Sequence, residues 1–143
     1  MKYSGGKIMD FTKIAKEALE NDKGFIGNNN DRVIKVEDNY CELEGVITES
    51  SLNNLKIAHG GYIFGLADTA AGIAAMTNGG NVVTINSNIN YISPAKGNKI
   101  KAIASSIKNG KIISIYEVKI YDEKDKLIST ATISFYNIEN KNS

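Results

Sequence analysis

The chain has 143 residues, enough for one domain with a proper core and too few for two of ordinary size. Seventeen Lys and Arg stand against sixteen Asp and Glu, a formal charge of +1 with no long block of either sign, so nucleic acid is not the natural partner. One cysteine, Cys41, excludes an internal disulfide, and a single His without metal-ligand spacing argues against a metal site.

Residues 8–20 place Ile8, Phe11, Ile14, Ala15, Ala18 and Leu19 at helical spacing, with Lys13, Lys16, Glu17 and Glu20 on the other side. This predicts an amphipathic helix on the outside of the core. The same stretch lacks the apolar block of a signal peptide, and no apolar run reaches the length of a membrane span. A soluble cytoplasmic protein is expected. Residues 21–30, with Gly24 and Gly27, read as loop. Ile34 and Val36 then alternate with charged residues, Asp38-Asn39 is a turn pair, and Cys41, Leu43 and Ile47 follow on a second strand.

The organising stretch runs from His59 to Met76. From Tyr62 onward every residue is apolar or small except Asp68 and Thr69, so as a helix it must be buried on nearly all sides. Gly65 and Gly72 each cost about 1 kcal/mol there relative to Ala. Both share the face of Asp68, leaving its carboxylate with bare backbone above and below. Phe64, Gly65, Ala71 and Gly72 are its neighbours at three and four residues, so no local Lys or Arg pairs with it. Asp68 is thus a candidate general base or nucleophile. Gly60 and Gly61 precede the helix, where unpaired N–H groups and the positive dipole end suit a developing oxyanion.

After the helix, Asn78-Gly79-Gly80-Asn81 is a stop and turn. Val83, Ile85, Ile89 and Tyr91 point one way on the next strand, while Thr84, Asn86, Asn88 and Asn90 point the other; Ser93-Pro94 ends it. A strand over residues 99–108 leads to Asn109-Gly110, a two-residue hairpin signal. Ile112, Tyr116, Val118 and Ile120 share a face on the strand that follows, and Leu127, Ala131, Ile133 and Phe135 line the last one. The expectation is one α+β domain over residues 1–143, an antiparallel sheet wrapped around one long helix, with its core at about 31–138 and a disordered tail at 139–143.

The string N-N-L-K-I-A-H-G-G-Y-I-F-G-L-A-D-T-A-A-G, followed by N-I-N-Y-I-S-P-A-K-G, resembles the hotdog-fold acyl-CoA thioesterases of the phenylacetic-acid-degradation (PaaI-like) group. That resemblance covers about residues 46–138. It implies hydrolysis of acyl-CoA by a homodimer, often paired into a dimer of dimers, whose sheets join edge to edge and whose sites lie between subunits. No cofactor is implied. By position, Asp68 matches the catalytic carboxylate, the Gly60 N–H the oxyanion donor, and Asn53 a polar residue that places carbonyl or water. His59 matches the motif histidine supporting that loop, and Thr84 a residue that orients the water. Asp68 and Thr84 would come from one subunit and Asn53, His59 and Gly60 from the other. Gly61, Phe64, Tyr91 and Pro94 are expected to meet the substrate as groove wall, and Lys96, Lys99 and Lys108 are candidates for the coenzyme A phosphates. Two other classes remain open, a non-catalytic acyl-CoA-binding module and an acyl-thioester hydratase; the second would want a His in another motif.

Overall fold

The computed structural model describes residues 3–4 and 7–138. A short ribbon of β1 (Tyr3–Ser4) and β2 (Lys7–Ile8) precedes α1 (Phe11–Asn21). The helix begins later than its periodicity suggests because Asp10 caps it, its carboxylate accepting from the Lys13 N–H at 3.1 Å, and Ile8 belongs to β2. The tail expected beyond Ile138 lies outside the described residues.

Six strands form one sheet: β3 (Asp31–Glu37), β4 (Tyr40–Val46), β5 (Asn81–Tyr91), β6 (Lys99–Asn109), β7 (Ile113–Asp122) and β8 (Leu127–Ile138). Their order is β3-β4-β6-β7-β8-β5 and every pairing is antiparallel. Between β4 and β5 the chain forms α2 (Gly60–Met76), which packs across one face of the sheet. The connection from β4 through α2 to β5 carries the chain to the far edge, so β5 is an edge strand and β6 returns beside β4. The expected antiparallel sheet around one apolar helix is borne out.

Ala67, Ala70, Ala71 and Ala74 are wholly buried against Leu43, Ala102, Ala104, Val118 and Ile133. Small side chains on both surfaces let the helix axis come close to the sheet, and good helix propensity comes with them. The burial is not all-round, however. Gly61, Gly65, Asp68, Gly72 and Met76 recur at helical spacing along one strip that is exposed or half-buried.

Bulges correct several expected strand faces. One between Val33 and Lys35 turns Val33 and Val36 inward and leaves Ile34 exposed. Another between Thr84 and Asn86 reverses the expected face of the first half of β5. Val83 and Ile85 are exposed, whereas Thr84 points to the helix side with Ser87 and Ile89, opposite buried Phe135, Ile133 and Ala131. A third, where β7 meets β8, buries Ile128 and Ser129 and leaves Leu127 half-buried. Ile112 is not on a strand face; Gly110, Lys111 and Ile112 make a three-residue turn in place of the expected two-residue one.

Sequence reading gave no warning of Asp31, at the start of β3. Both of its carboxylate oxygens are buried with no hydrogen-bond partner. Burial pushes its pKa from 3.8 up to about 7. The nearby Tyr62 hydroxyl, which donates to the Val46 carbonyl at 3.4 Å, is pushed upward by its own burial and then by the Asp31 charge. For an acid whose folded pKa is raised, the folded state keeps the proton that the unfolded chain releases, so stability falls as pH rises from about 4 to about 7. Asp31→Asn is therefore expected to raise the melting temperature above that of wild type at pH 8.5, with the difference shrinking toward pH 4, as read by thermal unfolding across pH.

Candidate active site

Two small clusters form along α2. At its N-terminus, His59 is the cap residue, and its Nδ1 accepts from the Gly61 N–H at 2.8 Å. The ring is thereby turned with Nδ1 toward the helix. The Tyr62 and Ile63 N–H groups bond to the His59 carbonyl, which leaves the Gly60 N–H without an acceptor among the described residues. It is the one unpaired donor in the first turn, at the positive end of the dipole. Tyr91, at the end of β5, donates from its hydroxyl to the Gly60 carbonyl at 2.8 Å and fastens this turn to the sheet.

Two turns further on, Asp68 is half-buried, and its Oδ1 accepts from Thr84 Oγ1 at 2.9 Å. The bulge after Thr84 is what aims that hydroxyl at the helix. Oδ2 has no hydrogen-bond partner among the described residues. Of the two glycines on the Asp68 face, Gly65 has a local reason: a Cβ there would stand 3.3 Å from the Phe25 ring. Gly72 has none, since a Cβ there would meet nothing within 4 Å.

Asn53 holds its own loop. Its Oδ1 accepts from the Leu55 and Ile57 N–H groups at 2.9 and 3.2 Å, while its Nδ2 has no partner among the described residues. Phe64 is half-buried one turn before Asp68, and Pro94 is exposed on the loop after β5. Of the lysines considered for phosphates, Lys99 and Lys108 do not gather: Lys99 lies 4.0 Å from Glu44 at one end of β6, and Lys108 is at the other end; Lys96 is on the loop before β6. Burial pushes the Cys41 thiol up to about 12, so it is no nucleophile at neutral pH.

Asp68 and Gly60 are eight residues apart on one helix, about 12 Å along its axis at 1.5 Å per residue. The oxyanion donor must lie about 3 Å from the carbonyl oxygen, and a general base at hydrogen-bond distance from the attacking water.

The thioesterase superfamily model matches residues 55–129, the span from the Asn53 loop through α2 to β8. A putative esterase of Archaeoglobus fulgidus is 30% identical over 108 residues, 75% of this chain and 70% of that protein. The Escherichia coli acyl-coenzyme A thioesterase PaaI is 26% identical over 98 residues, 68% of this chain and 70% of that one. A structure of E. coli PaaI superposes with a TM-score of 0.84 at 23% identity, covering 92% of this chain and 95% of that one. A hypothetical thioesterase of Streptococcus pneumoniae, solved with coenzyme A, superposes at 0.74 and 26% identity over 78% and 88% of the two chains. The chain belongs to the thioesterase superfamily. Within it, this is a PaaI-like thioesterase of the hotdog fold.

The cap gives a direct stability test. His59→Ala is expected to cost about 1 kcal/mol in chemical denaturation, and His59→Asn, which keeps an acceptor at the cap, much less.

Proposed function

We propose that the protein hydrolyses acyl-CoA thioesters at two equivalent sites of a homodimer, each built from Asp68 and Thr84 of one subunit and Gly60, His59 and Asn53 of the other. The observation that carries this reading is the division of the chemistry along α2: a carboxylate oriented by Thr84 at 2.9 Å, and an unpaired N–H about two turns away. Antiparallel pairing of two copies would bring each half-site to its complement. The edge position of β5, nine of whose 11 residues are exposed, supports that pairing, because a bare strand edge is a template for another strand. Kinship with E. coli PaaI and with the coenzyme A-bound S. pneumoniae protein supports the substrate class.

In this scheme the free Oδ2 of Asp68 takes a proton from water as the oxygen attacks the thioester carbonyl. Negative charge builds on the carbonyl oxygen and is met by the other subunit's Gly60 N–H at the dipole end. The C–S bond then breaks, the electron pair leaves with coenzyme A sulfur, and the proton held by Asp68 passes to that thiolate, giving acid and free coenzyme A. Thr84 keeps Oδ1 occupied, so Oδ2 is the oxygen presented. Asn53 spends Oδ1 on its loop and has Nδ2 left to donate to water or carbonyl. A thiolate leaves readily enough that no second acid is required.

Asp68→Asn is expected to lower kcat on acyl-CoA roughly 10²-fold or more at equal folded concentration, followed by thiol release; full activity in the variant would remove Asp68 from the mechanism. Acyl-CoA binding without turnover in wild type would favour a binding module instead. Gly60→Pro deletes the one N–H at the first helical position, where His59 already has the extended ψ of 138° that precedes proline; because a Cβ there stands 3.2 Å from the Tyr91 ring, Gly60→Ala, which keeps the N–H, is the steric control. A kcat loss of about 10²–10³ is expected for the proline variant. Mixing this variant with Asp68→Asn and allowing subunit exchange should recover about a quarter of the wild-type rate, since half the dimers then carry one intact site. No recovery would mean that each site lies within one chain.

A further inference from the structure

An apolar groove of about 630 Å³ lies between α1 and the C-terminal half of α2. Ile14 and Ala18 of α1, Ile26 of the following loop, and Ile73 and Met76 of α2 are among its walls. Ile14, Ile26 and Met76 are 48%, 37% and 50% exposed, so apolar side chains face an open concavity rather than one another. The volume falls in the range of small-molecule sites, about 300–1,000 Å³.

This groove meets the strip that carries Asp68 at Met76. Met76 belongs to both, as the last residue of the strip and as groove wall. Gly72 lies between Asp68 and Met76 on that strip, and the space above its Cα is open. Helical propensity alone would favour alanine there. On the other flank, Phe25 is seated at Gly65, and the next residue, Ile26, lines the groove, so the loop after α1 walls the passage.

Resting on the thioesterase reading above, we infer that the enzyme prefers aliphatic acyl chains of medium to long length, which run from Asp68 over the bare backbone of Gly72 and lie in the groove between α1 and α2. Asp68 to Met76 is about 12 Å along the helix axis. With C–C bonds near 1.5 Å, a zigzag chain spans this with about ten carbons. An acetyl group ends beside Asp68, and a phenylacetyl group reaches only the level of Gly72. A chain of ten to fourteen carbons enters the groove and covers its apolar walls, and the gain grows with each methylene that leaves water. Gly72 and Ala18 are thus the specificity-determining positions, one at the passage and one inside.

The experiment compares kcat/KM for acetyl-, phenylacetyl-, octanoyl- and dodecanoyl-CoA in wild type, Gly72→Leu and Ala18→Trp, with dodecanoate binding measured calorimetrically on each protein. Wild type should prefer dodecanoyl- over acetyl-CoA by at least tenfold, and each variant should reduce that ratio at least tenfold and weaken dodecanoate. Gly72→Ala, whose added methyl meets nothing, should melt higher than wild type while still lowering the ratio. A flat or short-chain profile with normal turnover would overturn the inference and leave the hydrolase standing. If no thioester is cleaved, the hydrolase reading fails, and dodecanoate binding, weakened by Ala18→Trp or not, still decides the groove. Loss of the dimer in Gly72→Leu would assign the bare strip to a subunit contact and overturn the inference.

Discussion

The close seating of α2 on the sheet is the constraint from which the rest follows. Ala67, Ala70, Ala71 and Ala74 on the helix meet short or branched residues such as Ala102, Ala104 and Val118 on the strands, and all of these are fully buried. A larger side chain at any of them would lift the helix and break the packing across several strands at once. Because the helix is clamped this low, its N-terminus comes within reach of Tyr91 and its middle within reach of Thr84, both on the edge strand β5. The candidate side chains are therefore positioned by the core itself.

Having one face committed to the sheet leaves the opposite strip of α2 with little cover. The strip carries the only acidic residue of the helix, three glycines and Met76. On one side it is bounded by β5, whose pairing edge is also free, and on the other by the loop that brings Phe25 to Gly65. Exposed backbone edge and exposed helix strip thus lie next to each other. Under the proposed dimer, pairing along β5 would bring the partner to the Gly60–Asp68 part of this strip and leave the stretch from Gly72 to Met76 open.

Helix geometry sets the reach of the chemistry. A rise of 1.5 Å per residue sets the backbone positions of Gly60 and Asp68 about 12 Å apart along the axis. That backbone spacing is a rigid property of α2, and the proposed dimer is a way to use both residues at one carbonyl. The bulge after Thr84 is the second rigid device. Without the extra residue, Thr84 would face away from the helix and Asp68 would lose its hydrogen-bond donor.

The sequence by itself determined the antiparallel sheet around one apolar helix, the Gly60-Gly61 pair at that helix's N-terminal end, and the absence of a Lys or Arg three or four residues from Asp68. Those features are local: they rest on periodicity, on residue size and on spacing along one helix. Tertiary structure decided which strand faces are buried, because a bulge shifts the two-residue alternation by one and no composition marks where it falls. Hence Val83 and Ile85, apolar by pattern, lie exposed, and Thr84, polar by pattern, supports the carboxylate. Only the fold revealed the buried, unpartnered oxygens of Asp31 and the open space at Gly72. Both depend on which chain segments cover a residue from elsewhere in the sequence, and that is a long-range property that no window of neighbouring residues contains.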